Sequence, residues 1–428
     1  MTNKYPILNK NYHIHYFGNI SFIDDIRNTQ GDYFYISLDE VGTDIIKLCD
    51  GLTNIEELHR KIAIEYNLDI DDKEPKDLLL EFINNFISKG ILDINDTPYN
   101  YEVSQSGEIG KLYPFHVAIE LTNACNLRCK HCYKEATLGQ GSFLDYKKIE
   151  SILKFLKGKT PVINLVGGEP TLHPYIDEIL SISTVGFSTT LISNGTNINS
   201  ISDENIKKLR SSQVSMYGYD ANSYKETTGN DTAFLKFCEG IKKLKRNKIH
   251  TSVVVIINKD NIDDLEKFIK VLIDLKADEI KFGLASLHGR AIYDRDRWIF
   301  NQKELRQLQS IINMYHDKYI DFIKINTWDD DDFIYDDFKN SYCKKSNRDK
   351  YNLNCLGGKT TVTISEKGIV RPCSYLPNEI FNMGDYEDYF KKILAKEEYS
   401  FNSQMQKYEK HLNSQGIELG DIRCKGFS

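Results

Sequence analysis

The sequence CNLRCKHCY, from Cys125 to Tyr133, places three cysteines within eight positions. Their spacing is C-x3-C-x2-C, with Cys129 and Cys132 as the second and third members. Thiols this close together indicate either a metal site or a disulfide framework. The spacing raises the question of which metal takes three protein ligands here, with no obvious fourth ligand beside them.

The composition excludes several classes of protein. The chain has 428 residues and nine cysteines, which is too sparse for a small secreted disulfide scaffold. The N-terminal sequence has no uninterrupted apolar segment behind a basic start, and no apolar run reaches the roughly 18 residues of a membrane span. A formal net charge of −7 argues against a general nucleic-acid binder. These features predict a cytoplasmic protein with reduced thiols and no membrane or nucleic-acid partner.

Residues 1–97 are predicted to form a small winged-helix-like domain. Short runs of β-branched and aromatic residues predict strands at Tyr12–His15, Ser21–Ile26 and Asp32–Leu38. Helical patterns and one further short run predict three helices and a strand at Val41–Cys49, Asn54–Tyr66, Pro75–Lys89 and Ile91–Ile94. The polar segment 98–112, which contains two glycines, is predicted to be a linker.

In residues 113–325 the pattern changes to strands that alternate with helices. The predicted strands are Phe115–Thr122, Val162–Val166, Thr189–Ser193, Gln213–Tyr217, Ser252–Ile257 and Glu279–Ala285. Six such units predict an α/β fold with a parallel sheet, curved into a partial (β/α)6, TIM-like barrel. Chemistry in such folds gathers at the carboxyl ends of the strands. The three cysteines follow the first strand and therefore belong to that end.

Two kinds of metal site are compatible with the cysteines. A structural zinc ion takes four ligands, and His131 would have to complete the set. His131 is adjacent to Cys132, and neighbouring residues rarely bind the same zinc ion. A cubic iron–sulfur cluster held by three cysteines leaves one iron open to an external ligand. The pattern therefore favours an iron–sulfur cluster over a zinc knuckle.

The motif C-x3-C-x-(aromatic)-C after a first βα strand resembles the radical S-adenosylmethionine (SAM) superfamily. The resemblance implies a [4Fe–4S] cluster on Cys125, Cys129 and Cys132, with the amino and carboxylate groups of SAM on the open iron. It implies that one electron, from a reductant such as flavodoxin or ferredoxin, cleaves SAM to a 5′-deoxyadenosyl radical that abstracts hydrogen. It also places His131, in the aromatic position, against the adenine.

The second strand is followed by a turn that matches the GGEP motif of this family. Its residues are Gly167, Gly168, Glu169 and Pro170. Glycines let a backbone come close to a ligand. The resemblance implies that the carbonyls of this turn and the Glu169 carboxylate accept hydrogen bonds from the SAM ammonium.

Polar residues at the ends of later strands extend the resemblance. It implies further contacts to SAM or its adenosine from Ser193, Asn194, Ser215 and Arg290, the last of which lies in the sequence HGRA after the sixth strand. Two positions depart from the family pattern. Met216-Tyr217-Gly218 replaces a common Leu-Asp-Gly, and Thr228-Gly229 replaces a common Arg-Gly. Another cation or a water is therefore expected to help hold the SAM carboxylate.

The C-terminal region, residues 326–428, contains a second group of cysteines. Cys355 and Cys373 frame the pattern C-x12-G-x4-C, with Gly368 in the turn of a predicted hairpin (Thr360–Ile364 and Ile369–Arg371). This resembles the opening of the auxiliary-cluster domains, SPASM and Twitch, of radical SAM maturases. The resemblance implies a second iron–sulfur cluster with these candidate ligands: Cys355, Cys373, Cys424 and Cys343. Four unrelated cysteines are the alternative.

A winged-helix-like domain ahead of such a core resembles the PqqD-like recognition element of maturases of ribosomally made peptides. The resemblance implies that the leader of a precursor peptide adds as a strand to Tyr33–Leu38 and packs on the third helix. A DNA-binding winged helix is the alternative. The third helix carries Glu81 and only two lysines, which makes it a poor reader of phosphates.

The combined resemblance is to the sactipeptide and thioether-forming maturases, and a thioether crosslink in a precursor peptide is the expected product. Epimerisation, a carbon–carbon crosslink or an oxidation would use the same radical start. A protein-oxidising or non-peptide maturase is a further alternative among enzymes. An iron–sulfur sensor with a DNA-binding head is the alternative outside enzymes.

Overall fold

The computed structural model describes residues 3–27, 35–285, 287–326, 360–374, 382–394, 410 and 414. The chain divides into two compact units, residues 1–115 with 158–161, and residues 116–157 with 162–428. No helix in the described residues is long and apolar enough to cross a membrane.

The first unit contains six strands and three helices among its described residues. The strands are β1 (Tyr5–Leu8), β2 (Tyr12–Gly18), β3 (Ile20–Asp25), β4 (Tyr35–Leu38), β5 (Leu92–Asn95) and β6 (Ser104–Ile109). The helices are α1 (Glu40–Leu48), α2 (Ile55–Glu65) and α3 (Lys73–Ser88). Each predicted helix is present, and each begins after a side chain that caps it, namely Asp39, Asn54 and Asp72.

A four-stranded sheet in the order β4-β3-β2-β6 forms the body of this unit. β4 runs antiparallel to β3, with Tyr35 opposite Asp24 and Leu38 opposite Ser21. One face of the sheet and the three helices bury a shared apolar core that includes Ile14, Ile23, Leu58 and Ile83. β4 and β6 are the two edge strands of this sheet within the described residues.

Two strands of this unit were not predicted. β1 pairs antiparallel with β5. β6 lies inside the segment predicted as a linker and pairs in parallel with β2. β6 carries serines, which bond to histidines of β2, where other strands bury apolar side chains. The polar sequence of β6 therefore gives no strand signal. Gly107 is required in it, because a Cβ there would lie 2.1 Å from the Tyr16 carbonyl oxygen.

The second unit contains the βα series. Its strands are β7 (His116–Glu120), β8 (Ala124–Cys125), β9 (Thr137–Leu138), β10 (Val162–Val166), β11 (Ser188–Ser193), β12 (Ser211–Met216), β13 (His250–Ile257), β14 (Glu279–Leu284), β15 (Lys324–Asn326), β16 (Thr361–Ile364) and β17 (Val370–Arg371). Its helices are α4 (Tyr146–Leu156), α5 (Ile176–Ser183), α6 (Asp203–Ile206), α7 (Ala221–Thr228), α8 (Ala233–Arg246), α9 (Leu265–Asp274), α10 (Arg295–Trp298), α11 (Gln302–Tyr319) and α12 (Tyr386–Leu394).

Its main sheet has the order β15-β14-β13-β12-β11-β10-β7-β16-β17. The strands from β15 to β16 are parallel to their neighbours, and β17 runs antiparallel to β16. At least one helix lies between each pair of consecutive strands from β7 to β15, apart from the short β8 and β9. The predicted α/β fold with its six parallel strands is confirmed. The carboxyl ends of these strands share one edge of the sheet.

The predicted C-terminal hairpin is also confirmed, as β16 and β17. Its turn contains Gly368 at φ +80°, whose N–H donates to the Ser365 carbonyl at 2.7 Å. It was predicted as part of a separate domain that begins at residue 326. In the structure β16 extends the core sheet instead, in parallel pairing with β7 that places Ile364 opposite Ile119. The hairpin and the βα series belong to the same compact unit.

Candidate active site

The loop that carries the three cysteines follows the carboxyl end of β7. Cys125 and Cys129 are buried and Cys132 is half-buried. Cys125 ends β8, which pairs with β9 so that Cys125 lies opposite Leu138. The Cys132 N–H donates to the Cys129 carbonyl at 3.2 Å and forms a turn between these two cysteines. One short loop, closed at its base by β8 and β9, therefore holds all three thiols.

The donor set of this loop fits a cubic iron–sulfur cluster. No three Cys, His, Asp or Glu side chains in the described part of the chain converge closely enough to hold a single metal ion. In a [4Fe–4S] cluster each cysteine binds a different iron, so the thiols need not converge on a single metal ion. Three thiols at a strand end suit a cluster whose fourth iron stays open.

Burial raises the pKa of two of the three thiols. Burial raises the pKa of Cys125 to about 11. Burial, and after it the charges of Cys125 and Cys132, raise the pKa of Cys129 well above its usual range, whereas the Arg290 guanidinium and a hydrogen bond from Tyr217 lower it. The buried thiols are therefore protonated at neutral pH without metal, and cluster assembly releases their protons.

Glu169 of the GGEP turn is fully buried and saturated with internal donors. Its Oε1 accepts from the Thr171 N–H (3.1 Å), the Thr171 hydroxyl (2.5 Å) and the Ser193 hydroxyl (2.8 Å). Its Oε2 accepts from the Asn194 N–H at 2.7 Å. Pro170, also buried, begins the short turn that Glu169 caps. The carboxylate thus ties the turn after β10 to the end of β11, and a contact with SAM stays a prediction.

The two glycines of this turn allow it to lie against the chain that leads into Cys125. The Gly168 N–H donates to the Thr122 carbonyl at 2.6 Å. A Cβ at Gly168 would lie 2.3 Å from the Ala124 carbonyl oxygen, and one at Gly167, which has φ +157°, would lie 2.6 Å from the Thr122 oxygen. The sequence suggested that these glycines make room for a ligand. The structure shows that they make room for the backbone of the cysteine loop.

Asn194, predicted as a SAM contact, lies beside the first cysteine. Its Nδ2 is 3.8 Å from the Cys125 sulfur and donates to Asn126 Oδ1 at 2.8 Å. The Leu127 N–H is 3.4 Å from the same sulfur. Hydrogen bonds to the sulfurs of an iron–sulfur cluster raise its reduction potential. Asn194, at the end of β11, therefore contacts the cysteine loop directly.

His131 lies in an aromatic environment next to the cysteines. Its ring centroid is 5.4 Å from that of Tyr217 and 5.3 Å from that of the buried Trp298. Burial, with the charges of Arg290 and Arg297, lowers the pKa of His131 to about 4, so the imidazole is neutral. His131 Nδ1 and Trp298 Nε1 are buried without a hydrogen-bond partner among the described residues. Aromatic rings with unused polar atoms fit a nucleoside such as the adenosine of SAM.

Ser215, the predicted contact on the fourth strand of the series, is half-buried on β12. Its hydroxyl is bonded to the side chain of Tyr217, which also bonds to Cys129. Burial and the charge of Cys129 raise the pKa of Tyr217 well above its usual range, so the phenol is a hydrogen-bond donor. In the sequence, Tyr217 ends a predicted strand and departs from the family pattern. The structure makes it part of the site.

The other departure, at Thr228-Gly229, also contacts the cysteine loop. Thr228 is the last residue of α7, and its carbonyl accepts from the Arg128 N–H at 3.0 Å. The Thr227 carbonyl accepts from the Lys130 N–H at 3.1 Å. The end of α7 therefore holds the first half of the loop through backbone bonds that do not depend on side-chain identity.

Arg290 comes much later in the sequence than the cysteine loop and bonds to the second half of that loop. Its N–H donates to the Cys132 carbonyl at 3.0 Å, its Nε to the Cys129 carbonyl at 2.9 Å and its Nη1 to the Ala136 carbonyl at 3.1 Å. Its Nη2 is buried without a hydrogen-bond partner among the described residues. The hydrogen bonds of Arg290 in the structure are therefore to the cysteine loop, and its contact with adenosine stays a prediction.

A buried group of three charges beside this loop was missed by the sequence analysis. Glu120, at the end of β7, has its Oε1 2.8 Å from the Lys134 Nζ and its Oε2 2.5 Å from the Arg371 Nη2. The exposed fractions of the Lys134, Glu120 and Arg371 side chains are 9%, 1% and 5%. Sequence gives no signal for such a contact, because the partners come from distant segments.

The candidate ligands of the second cluster are described only in part. Cys373 is half-buried and follows Arg371 by two residues at the end of the hairpin. The other three candidates, Cys343, Cys355 and Cys424, lie outside the described residues. The second cluster therefore stays a prediction.

The predicted peptide-binding strand can be located in the first unit. Its residues 35–38 form β4, an edge strand of the four-stranded sheet within the described part of the chain. Ser37 is exposed and Leu38 is buried. An edge strand offers unpaired N–H and C=O groups to another strand.

Comparison with known families supports both units. The profile of the family described as Radical SAM superfamily matches residues 119–272, from β7 into α9. The profile described as Coenzyme PQQ synthesis protein D (PqqD) matches residues 30–92, which include β4 and the three helices. The matches cover the cysteine loop, the GGEP turn and the predicted peptide-binding strand β4.

Individual proteins match over most of the chain. The antilisterial bacteriocin subtilosin biosynthesis protein AlbA of Bacillus subtilis is 24% identical over 401 residues, which is 91% of this chain and 84% of AlbA. An AdoMet-dependent heme synthase of Nitratidesulfovibrio vulgaris is 24% identical over 315 residues, or 66% of this chain and 82% of that protein.

Solved structures confirm the fold. The structure of Streptococcus suis SuiB bound to S-adenosylmethionine has a TM-score of 0.61 at 16% identity and covers 98% of this chain and 95% of SuiB. SuiB bound to its precursor peptide SuiA has a TM-score of 0.59 at 16% identity, with 91% and 88% covered. The chain has a three-cysteine loop at the end of β7, a sheet of βα units and, earlier in the sequence, a PqqD-like unit. Together with the matches, these features identify it as a radical SAM enzyme, a member of the radical SAM superfamily that uses SAM and a [4Fe–4S] cluster.

Proposed function

We propose that this enzyme is a maturase that binds a ribosomally made precursor peptide by its leader and forms a thioether crosslink in the core of that peptide. The observation that carries the proposal is the edge strand β4 of the PqqD-like unit, on the same chain as the three-cysteine loop. AlbA is a biosynthesis protein of the bacteriocin subtilosin, and SuiB was solved with its precursor peptide. Both relatives support a peptide substrate.

The leader is expected to bind by strand addition. The outer side of β4 has no strand partner among the described residues, so its backbone groups can pair with an extended peptide. The exposed Leu78 of α3 lies among four acidic residues and one basic residue, namely Asp72, Glu74, Asp77, Glu81 and Lys73. An acidic helix surface repels a phosphate backbone, which supports a peptide over DNA as the ligand of this unit.

The residues of the second unit have separable tasks in this proposal. Cys125, Cys129 and Cys132 hold the cluster, and Asn194 and Tyr217 donate hydrogen bonds to two of their sulfurs. Cys125 and Cys129 are buried, which limits the access of water to this side of the site. When bound to this cluster, SAM supplies the 5′-deoxyadenosyl radical that removes a hydrogen atom from the peptide.

The thioether step also needs an electron acceptor. Formation of a carbon–sulfur bond from C–H and S–H removes one hydrogen atom, one proton and one further electron. The hydrogen atom goes to the deoxyadenosyl radical and the proton to solvent. A second iron–sulfur cluster with Cys373 among its ligands would take the electron. A reductant such as flavodoxin or ferredoxin supplies the first electron, and the need for reduced thiols supports a cytoplasmic location.

The mass of a co-expressed precursor peptide tests the proposal. A thioether lowers the mass by two hydrogens per crosslink and protects the cysteine involved from alkylation. An unchanged mass with a D-amino acid would show epimerisation, and a two-hydrogen loss with the cysteine still free for alkylation would show a carbon–carbon crosslink or an oxidation. No modification of any peptide encoded beside this gene would count against the precursor-peptide proposal as a whole.

A further inference from the structure

We propose that Arg290 is a positioning residue of the cluster: it fastens the second half of the cysteine loop and supplies a fixed positive charge that raises the reduction potential of the cluster. This goes beyond a contact with adenosine. It depends on the cluster of the radical SAM domain and is independent of the peptide and of the product formed.

The hydrogen bonds of Arg290 argue for the fastening role. Three of its donors reach carbonyls on both sides of Cys132, at Cys129, Cys132 and Ala136, over distances of 2.9 to 3.1 Å. The guanidinium presents its donors in a rigid planar fork, so these bonds fix position as well as distance. Because α7 already holds the first half of the loop, Arg290 supplies the support that the second half needs.

The backbone beside Arg290 is built for this close approach. Gly289 has φ +55°, a conformation that favours glycine. A Cβ at this position would lie 2.5 Å from both the Cys132 and the Tyr133 carbonyl oxygens. The Gly289-Arg290 pair therefore brings one main-chain donor and two side-chain donors against the loop, which a larger residue at 289 would prevent.

The charge of Arg290 argues for the electronic role. No ion pair in the described part of the chain involves Arg290, whereas the nearby Arg297 is paired with Asp260 at 2.8 Å. Carbonyl oxygens orient a guanidinium but do not cancel its charge. Reduction adds one negative charge to the cluster, and an uncompensated cation nearby favours the reduced state. The Arg290 side chain is half-buried with its Nη2 atom buried, which weakens the screening of this interaction by water.

Two substitutions separate the two roles. Arg290→Gln removes the charge and keeps some hydrogen-bonding capacity, whereas Arg290→Lys keeps the charge and removes the planar fork. The same Arg→Gln change at Arg246, which is exposed at the end of α8, is the matched control. The reconstituted holoenzymes are compared without SAM by iron content and by spectroscopic redox titration with dithionite, and then by SAM affinity.

We expect Arg290→Gln to lower the equilibrium constant for cluster reduction about tenfold, which is about 59 mV for one electron. Arg290→Lys should restore the potential while it still loses iron faster than the wild type, and Arg246→Gln should match the wild type. If Arg290→Gln assembles too little cluster for titration, Arg290→Lys decides by itself, since a potential far below the wild-type value there would refute the electronic role. Normal iron retention and potential in both variants, together with weakened SAM binding, would make Arg290 an adenosine contact and overturn the proposal.

Discussion

Glu120 and Arg371 form a buried ion pair with 2.5 Å between Oε2 and Nη2, although 251 positions separate them in the sequence. Lys134, two residues after Cys132, pairs with the other oxygen of the same carboxylate at 2.8 Å. β7, the cysteine loop and the C-terminal hairpin therefore meet at one carboxylate. Two buried cations share this one carboxylate, so both depend on Glu120 for charge compensation.

Replacement of Glu120 should therefore destabilise the second unit. Glu120→Gln removes the carboxylate charge that both buried cations share, and the loss of one partner from a buried ion pair costs about 3–5 kcal/mol of unfolding free energy. Urea unfolding of the metal-free protein measures the change. Asp231→Asn, which removes the exposed partner of Lys225, is the control and should have no measurable effect. A Glu120 variant as stable as this control would show that the buried pair contributes little.

The three cysteines of the loop should be essential for cleavage of SAM. Their simultaneous replacement by alanine removes every protein ligand that the loop offers, so reductive formation of 5′-deoxyadenosine should stop. Chromatographic detection of 5′-deoxyadenosine after reduction with dithionite measures this. As a control, Cys238→Ala, which changes a half-buried cysteine of α8, should retain SAM cleavage. SAM cleavage at the wild-type rate in the triple variant would refute the assignment of the cluster to this loop.

The sequence predicted the parts of this protein that depend on local pattern. The strands and helices of the βα series follow from hydrophobic periodicity, and the cysteine spacing is a local signal as well. Long-range partners were not predicted. The family resemblance assigns Glu169 to SAM, and its bonds to Ser193 and Asn194, at the end of another strand, were not predicted. The buried ion pair of Glu120 and Arg371 was missed for the same reason.

The strand β6 shows a second limit of sequence analysis. Its serines form a polar network with β2, in which the Ser106 hydroxyl is 2.9 Å from His15 Nδ1 and 2.7 Å from His13 Nε2. The Tyr113 carbonyl can only accept, so His15 Nε2, at 2.9 Å, carries the hydrogen and Nδ1 accepts from Ser106. An edge strand whose one buried side chain, Ser106, bonds to histidines has the composition of a linker.

This network predicts that the first unit loses stability in acid. Burial lowers the pKa of His15 from 6.5 to about 3, so the folded unit holds His15 neutral while the unfolded chain takes up a proton below pH 6.5. The contribution of His15 is complete above pH 6.5 and is lost as the pH falls toward 3, at up to about 1.4 kcal/mol per pH unit. Urea unfolding of the first unit, monitored by hydrogen exchange at several pH values between 7.5 and 4.5, measures how the free energy of unfolding changes with pH. His15→Gln should reduce the slope, and an identical slope in this variant would assign the acid sensitivity to other groups.

The edge of β4 should bind the leader peptide. A proline at Tyr35 or Ser37 removes a backbone N–H from this strand, so it should weaken precursor binding at least several-fold while SAM cleavage without peptide persists. Ser104→Pro, at the opposite edge of the same sheet, is the matched control. Fluorescence anisotropy of a labelled leader gives the affinities, and hydrogen exchange should show added protection of residues 35–38 with peptide. Equal affinities in all variants and unchanged exchange would place the leader elsewhere.

The last prediction concerns the second cluster. Cys373 is half-buried at the end of the β16–β17 hairpin, two residues after the buried Arg371, and Cys355 precedes the same hairpin in the sequence. If both cysteines bind iron, their replacement by alanine should lower the iron content by about one cluster and leave the SAM-dependent spectrum of the first cluster intact.

The same double variant should still cleave SAM but fail to crosslink the precursor, because the electron released in carbon–sulfur bond formation then has no acceptor. The variant without the three loop cysteines is the reciprocal control, since it should keep the iron of the C-terminal site and lose SAM cleavage. Iron analysis, spectra with and without SAM, and the mass of the peptide separate the outcomes. Full iron content together with a crosslinked peptide would show that neither Cys355 nor Cys373 binds a cluster.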